Sequence, residues 1–145
     1  MRQLNKILIP LDGSDNAHGA LEYVMENISM YKESPQILLL NVQWKVAVGN
    51  VKLFINQDTI DDYYREQGMA ALQHARDVLD KSGLAYQYHI SVGTPAEAIA
   101  QYADEQSVNL IVMHKQGQGN LQSMLLGSVA SKVLHLASCP VLLIK

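Results

Sequence analysis

Val108-Asn109-Leu110-Ile111-Val112-Met113-His114-Lys115-Gln116-Gly117-Gln118-Gly119-Asn120-Leu121-Gln122-Ser123-Met124-Leu125-Leu126-Gly127-Ser128-Val129 carries the chain from an apolar run, through a glycine-containing loop, into an amphipathic segment. The run 108–113 has the length and β-branched content of a fully buried strand. Beyond the loop, Val129, Val133, Leu134 and Leu136 recur at spacings near three and four, which predicts a helix with Ser128 as its natural cap. Gly117, Gly119 and Gly127 allow positive φ and close approach of the backbone, and a helix start offers free N–H groups with a partial positive charge. A phosphate suits that environment, although glycines before a helix also occur in plain loops.

Working outward, Lys6-Ile7-Leu8-Ile9-Pro10-Leu11 is a second short apolar run, broken at Pro10 and turned at Asp12-Gly13-Ser14. A helix capped near Ser14 or Asp15 follows, with Ala17, Ala20, Leu21, Val24, Met25 and Ile28 as its apolar stripe. Asp12 lies where open α/β sheets place ligand-binding residues, at the carboxyl end of a strand; an Asx turn is the competing reading. Gln36–Val42 reads as another buried strand. Within 46–53 a Gly49-Asn50 pair flanked by alternating apolar residues predicts a small hairpin, with Trp44 and Phe54 as anchors.

Asp58, Asp61 and Asp62 open a long helix to about Ser82 whose core stripe is Ile60, Tyr64, Leu72, Ala75, Val78 and Leu79. Ala85–Val92 alternates more than the other strands and belongs nearer a sheet edge. Thr94-Pro95-Ala96-Glu97 predicts a helix start with Thr94 as cap, Pro95 first and Glu97 closing a capping box. Pro140–Ile144 is the last strand. Strands alternating with helices imply a single open five-stranded parallel sheet of order 3-2-1-4-5 with helices on both faces, a Rossmann-like arrangement over 1–145. Winding reverses between the first and fourth strands, so a ligand crevice is expected between Asp12 and the loop 114–128.

Composition bounds the rest. With 48% hydrophobic and 17% charged residues, the 145-residue chain has the make-up of one compact soluble domain. No apolar stretch nears the roughly 20 residues of a membrane span, and no signal peptide is evident, so the cytoplasm is the expected location. A net charge of −3 without basic blocks argues against nucleic acid as a partner. The single cysteine, Cys139, reads as a structural thiol, and histidines at 18, 74, 89, 114 and 135 show no metal-ligand spacing.

These residues resemble the universal stress protein family over essentially the whole chain. Ile7-Leu8-Ile9-Pro10-Leu11-Asp12-Gly13-Ser14 is similar to its first strand and turn, and Gly127-Ser128-Val129 through Cys139-Pro140-Val141-Leu142 to its last helix and strand. Nucleotide-binding members carry G-x2-G-x9-G-[S/T]; here Gly117, nine residues and Gly127-Ser128 reproduce the second half, while His114 replaces the first glycine. The resemblance implies ATP or AMP, with or without Mg2+, as the ligand. It puts Pro10, Leu11 and Asp12 beside adenine and ribose, Val42 and Met113 along the base, and Gly117, Gly127, Ser128 and Val129 on the phosphates. It also implies a stress-response regulator that forms a homodimer through the last strand and signals to a protein partner not identified by the sequence. An imidazole at 114 either occludes the phosphates or donates to them when protonated, so adenine nucleotide is expected to bind more weakly than with the complete motif.

Two other function classes stay open. Asp12 and Lys115 offer reach to a metal and a phosphate, but without a Walker lysine or an evident base any ATP hydrolysis is expected to be slow. A dimeric interaction module that has lost nucleotide through His114 is the remaining alternative.

Overall fold

The computed structural model describes residues 6–45, 56–116 and 126–145. The hairpin expected at 46–53, Phe54, Gly117 and Gly119 lie outside the described residues. Five strands, β1 (Lys6–Pro10), β2 (Gln36–Trp44), β3 (Tyr86–Gly93), β4 (Leu110–His114) and β5 (Val141–Ile144), form one sheet in the order β3-β2-β1-β4-β5. All its ladders are parallel. This is the order expected from right-handed crossovers, and β3 is an edge strand as its alternation implies.

Helices α1 (His18–Glu26), α2 (Gln57–Ser82), α3 (Pro95–Glu105) and α4 (Ser128–Leu136) cover the two faces of the sheet. Side chains of a strand alternate between faces, and β1 shows the consequence. Ile7 and Ile9 join Ala20, Leu21 and Val24 of α1 and Leu72, Ala75 and Leu79 of α2. Leu8 joins Ala96, Ile99 and Ala103 of α3 and Ala130 and Val133 of α4 on the other side. Ile7, Leu8 and Ile9 are fully buried, as a central parallel strand requires.

Helix starts differ in detail from the sequence expectation. A short 3-10 turn, Asp15–Ala17, precedes α1, with Ser14 as its cap residue. α2 opens at Gln57, one residue after Asn56, whose side chain accepts the Thr59 N–H at 2.8 Å. Thr94 and Pro95 take the predicted cap and first positions of α3, but the Thr94 side chain makes no capping bond. Glu97 instead lies 3.7 Å from Lys132 of α4, so the capping box is not formed. Gly127, not Ser128, is the cap residue of α4, and Ser128 is the first residue of that helix.

Candidate functional site

β1 and β4 are neighbours, yet their ladder ends at Leu8↔Ile111, while β1 continues to Pro10 and β4 to His114. The two strands therefore part at their carboxyl ends, at the point where the direction of winding reverses. This parting lies where the ligand crevice is expected.

Its first lip follows β1. Leu11 donates its N–H to the Leu40 carbonyl at 2.8 Å, and the Leu11 carbonyl accepts from Asn41 Nδ2 at 2.8 Å. Asn41 is 1% exposed, and its Oδ1 in turn accepts from Gln43 Nε2 at 2.6 Å. Asp12 closes an Asx turn, its Oδ1 accepting from the Ser14 N–H at 2.9 Å and the Ser14 hydroxyl at 2.5 Å. Gly13 has φ +84°, and a Cβ there would lie 3.2 Å from the Ala71 Cβ of α2, so both the turn and the neighbouring helix call for glycine. Asp12 is exposed at the carboxyl end of β1, and the Asx turn that was its competing reading is present.

The second lip follows β4. Lys115 donates its N–H to the Ile144 carbonyl at 2.9 Å, and Gly127 donates its N–H to the Lys115 carbonyl at 2.7 Å. The two ends of the glycine loop are thus pinned together beside the start of α4. Gly127 brings no side chain to that start, and the Ser128 side chain is exposed. The first-turn amides of a helix have no acceptor within it, so they are donors for an anion.

Side-chain directions sort the remaining candidates. Val42 and Met113 both pack on the face that carries α3 and α4, with half-buried Val129 of α4 beside them in the same cluster. Pro10 is half-buried and Leu11 is 3% exposed. His114 points the other way. A Cβ on Gly19 of α1 would lie 3.7 Å from His114 Cδ2, an ordinary contact, so the imidazole lies against α1. Its Nδ1 is 2.7 Å from the Gln116 carbonyl and 3.1 Å from the Gln116 N–H, closing a tight local turn in either protonation state. The ring and the start of α4 are on opposite faces of the sheet, the placement least favourable to occlusion of an anion at that helix.

Asn41 and Gly19 were not singled out by sequence reasoning. The signal for Asn41 was present, a lone amide inside the apolar run Ile37–Val42; Gly19 gave none, because its partner is 95 residues distant in sequence. Cys139 is half-buried, and burial pushes its thiol above the ordinary value, which fits a structural thiol. Among the described residues, no three His, Cys, Asp or Glu side chains are grouped to hold a metal, and no helix is long and apolar enough to cross a membrane.

A sequence profile described as the universal stress protein family matches residues 3–145. The chain belongs to the universal stress protein family. Universal stress protein YxiE of Bacillus subtilis is 30% identical to it, over 97% of this chain and 99% of its own length. The solved structure of MJ0577, a universal stress protein of Methanocaldococcus jannaschii, superposes with a TM-score of 0.85 at 28% identity, covering 99% of this chain and 97% of that one. A universal stress protein of Arabidopsis thaliana solved with AMP bound shares the fold at a TM-score of 0.68 and 21% identity, covering 97% of this chain and 91% of that one.

Proposed function

We propose that this universal stress protein is an adenine-nucleotide-binding regulatory protein of the stress response, with ATP or AMP in the crevice between β1 and β4. The observation that carries the reading is the parting of those strands between two lips, one an acidic turn and the other a helix start, whose first-turn amides have no acceptor within the helix. On this reading Pro10, Leu11 and Asp12 flank the ribose and base. Val42 and Met113 form an apolar floor for adenine, and Gly127, Ser128 and Val129 meet the phosphates, with Gly117 of the loop in the same role. The AMP in the Arabidopsis protein supports this choice of ligand. His114 enters through the turn it closes with Gln116 and not as a phosphate contact, so the penalty for losing the first motif glycine is small.

β5 pairs with β4 on one side, and its Val141, Leu142, Leu143 and Ile144 are half-buried. Its outer edge has no strand partner among the described residues, which supports a homodimer through this strand. The regulatory partner would read that dimer with its nucleotide bound.

The test is release of small molecules from purified protein by denaturation, their identification by chromatography and mass, and titration with AMP and ATP with and without Mg2+. Recovery of adenine nucleotide, or saturable binding, is the expected result. A protein that releases none and binds none would overturn the reading and leave the dimer surface as the seat of function. Light scattering with size exclusion checks the dimer, and phosphate release over hours would detect slow hydrolysis.

A further inference from the structure

β3 forms the edge of the sheet opposite β5, and its ladder with β2 fixes which main-chain groups are free. Ile37 of β2 is paired with Tyr86 and donates its N–H to the Ala85 carbonyl at 3.3 Å. In a parallel ladder, alternate residues of a strand turn both main-chain groups toward the same neighbour. Gln87, His89 and Ser91 therefore face β2, while Tyr88, Ile90 and Val92 turn their N–H and C=O groups outward. No strand meets them there among the described residues. Such a row is a template for another extended chain, and Tyr86–Gly93 contains no proline, lysine or arginine to guard it.

α2 turns this edge into one wall of a groove. A Cβ added at Gly68 would come within 2.6 Å of Ile90 Cγ2, so the glycine lets the helix seat closely on the middle of the strand. On either side of that contact Tyr88 and Val92 remain 43% and 46% exposed. A cavity of about 380 Å3 opens there, lined by Asp61, Tyr64, Arg65 and Met69 of α2 and by Tyr88 and Val92 of β3. Its size is within the range of ligand pockets, and its walls are largely apolar or aromatic. The charge at its mouth is acidic, with Asp58, Asp61 and Asp62 set against Arg65. Arg65 lies 3.5 Å from Asp62. Asp61 accepts from the uncharged Gln57 amide at 2.9 Å and makes no ion pair among the described residues.

We propose that β3 and α2 form a docking groove for an extended peptide segment of another protein. The segment adds to the sheet beside β3, seats an apolar side chain against Met69, Tyr88 and Val92, and presents a lysine or arginine to Asp61. Main-chain bonds to Tyr88, Ile90 and Val92 hold any extended chain, while the cavity and the carboxylate choose among sequences. Charge separates this occupant from a second copy of the protein. A copy pairing edge to edge brings Tyr86–Gly93, which offers Asp61 no lysine or arginine. The groove is at the far edge of the sheet from β5 and does not depend on the proposed function.

The experiment titrates full-length protein into three labelled synthetic octapeptides, followed by fluorescence anisotropy. The first alternates threonine and valine with one lysine, the second has glutamate for that lysine, and the third is the lysine peptide with alternate main-chain amides N-methylated. The lysine peptide is expected to bind saturably. The glutamate peptide binds about fivefold more weakly, and the N-methylated one about tenfold or more, because its ladder bonds are lost. Asp61→Lys, at an exposed helix position, inverts the preference between the two charged peptides. Hydrogen exchange followed by NMR shows the bound lysine peptide slowing the Tyr88, Ile90 and Val92 amides and leaving those of β5 unchanged. Failure of every peptide to bind, undiminished binding of the N-methylated peptide, or an unaltered preference in Asp61→Lys would overturn the proposal. So would concentration-dependent protection of the same β3 amides without peptide, which would assign the edge to a second copy.

Discussion

Each lip combines main-chain and side-chain ties, but the lip after β1 relies chiefly on a buried amide and a carboxylate, and the lip after β4 chiefly on backbone bonds beside the His114 turn. In the first, a buried amide holds the Leu11 carbonyl, a carboxylate closes the turn, and a glycine with positive φ fits against α2. In the second, the Lys115 N–H and carbonyl are paired with Ile144 and Gly127 through main-chain atoms. A side-chain tie is lost with one substitution, while a backbone tie survives replacement of the residue that makes it. The first lip is therefore the fragile one, and the second is where ligand contacts and stability separate.

Asn41→Ala tests that contrast most severely. It leaves the Leu11 carbonyl inside the sheet without its donor, at a cost of about 2 kcal/mol in urea denaturation, and nucleotide affinity falls with it as the turn loosens. A loss below about 0.5 kcal/mol, the range of ordinary surface substitutions, would show that the tie is idle. Gly13→Ala comes next. An L-residue in the left-handed region costs about 1–2 kcal/mol, and the close approach to Ala71 adds to it, so melting temperature and affinity should both drop.

On the second lip, Gly127→Ala should behave differently. Its φ of −70° suits any residue, and alanine as cap residue costs only about 0.5–1 kcal/mol. If backbone there approaches phosphate, AMP affinity falls about fivefold or more, beyond what the stability change explains; equal modest effects on both would place the ligand elsewhere. His114→Gly should be the mildest. The ring lies over Gly19 and bonds to its own chain, so calorimetry should find AMP affinity changed by less than about threefold, with a small stability loss from the freed turn. A large gain in affinity would mean that the imidazole swings across to the phosphates.

Much of this was legible from the residues. The D-G-S turn follows from local chemistry, since Asp12 needs only Ser14, and the strand order follows from crossover handedness. What escaped notice depends on distant partners. Asn41 acquires its role from a carbonyl 30 residues away. The direction of His114 is set by the pleat of β4, which turns it toward α1 and which no spacing within the loop encodes. The capping box failed for a similar reason, because Glu97 lies toward Lys132 of another helix. Motif spacing thus located the lips and left their side-chain directions to tertiary packing.

The bond from Gly127 to Lys115 also bears on how this protein tolerates change. It ties together the ends of the intervening chain, 116–126 in sequence. Closing a loop between fixed ends costs only about 0.6 kcal/mol more for each doubling of its length. In chain entropy, then, a change in the number of residues between those two anchors costs little. Loop length becomes a free variable on a constant frame, by which descendants or designers can resize the space beside the helix start without rebuilding the sheet.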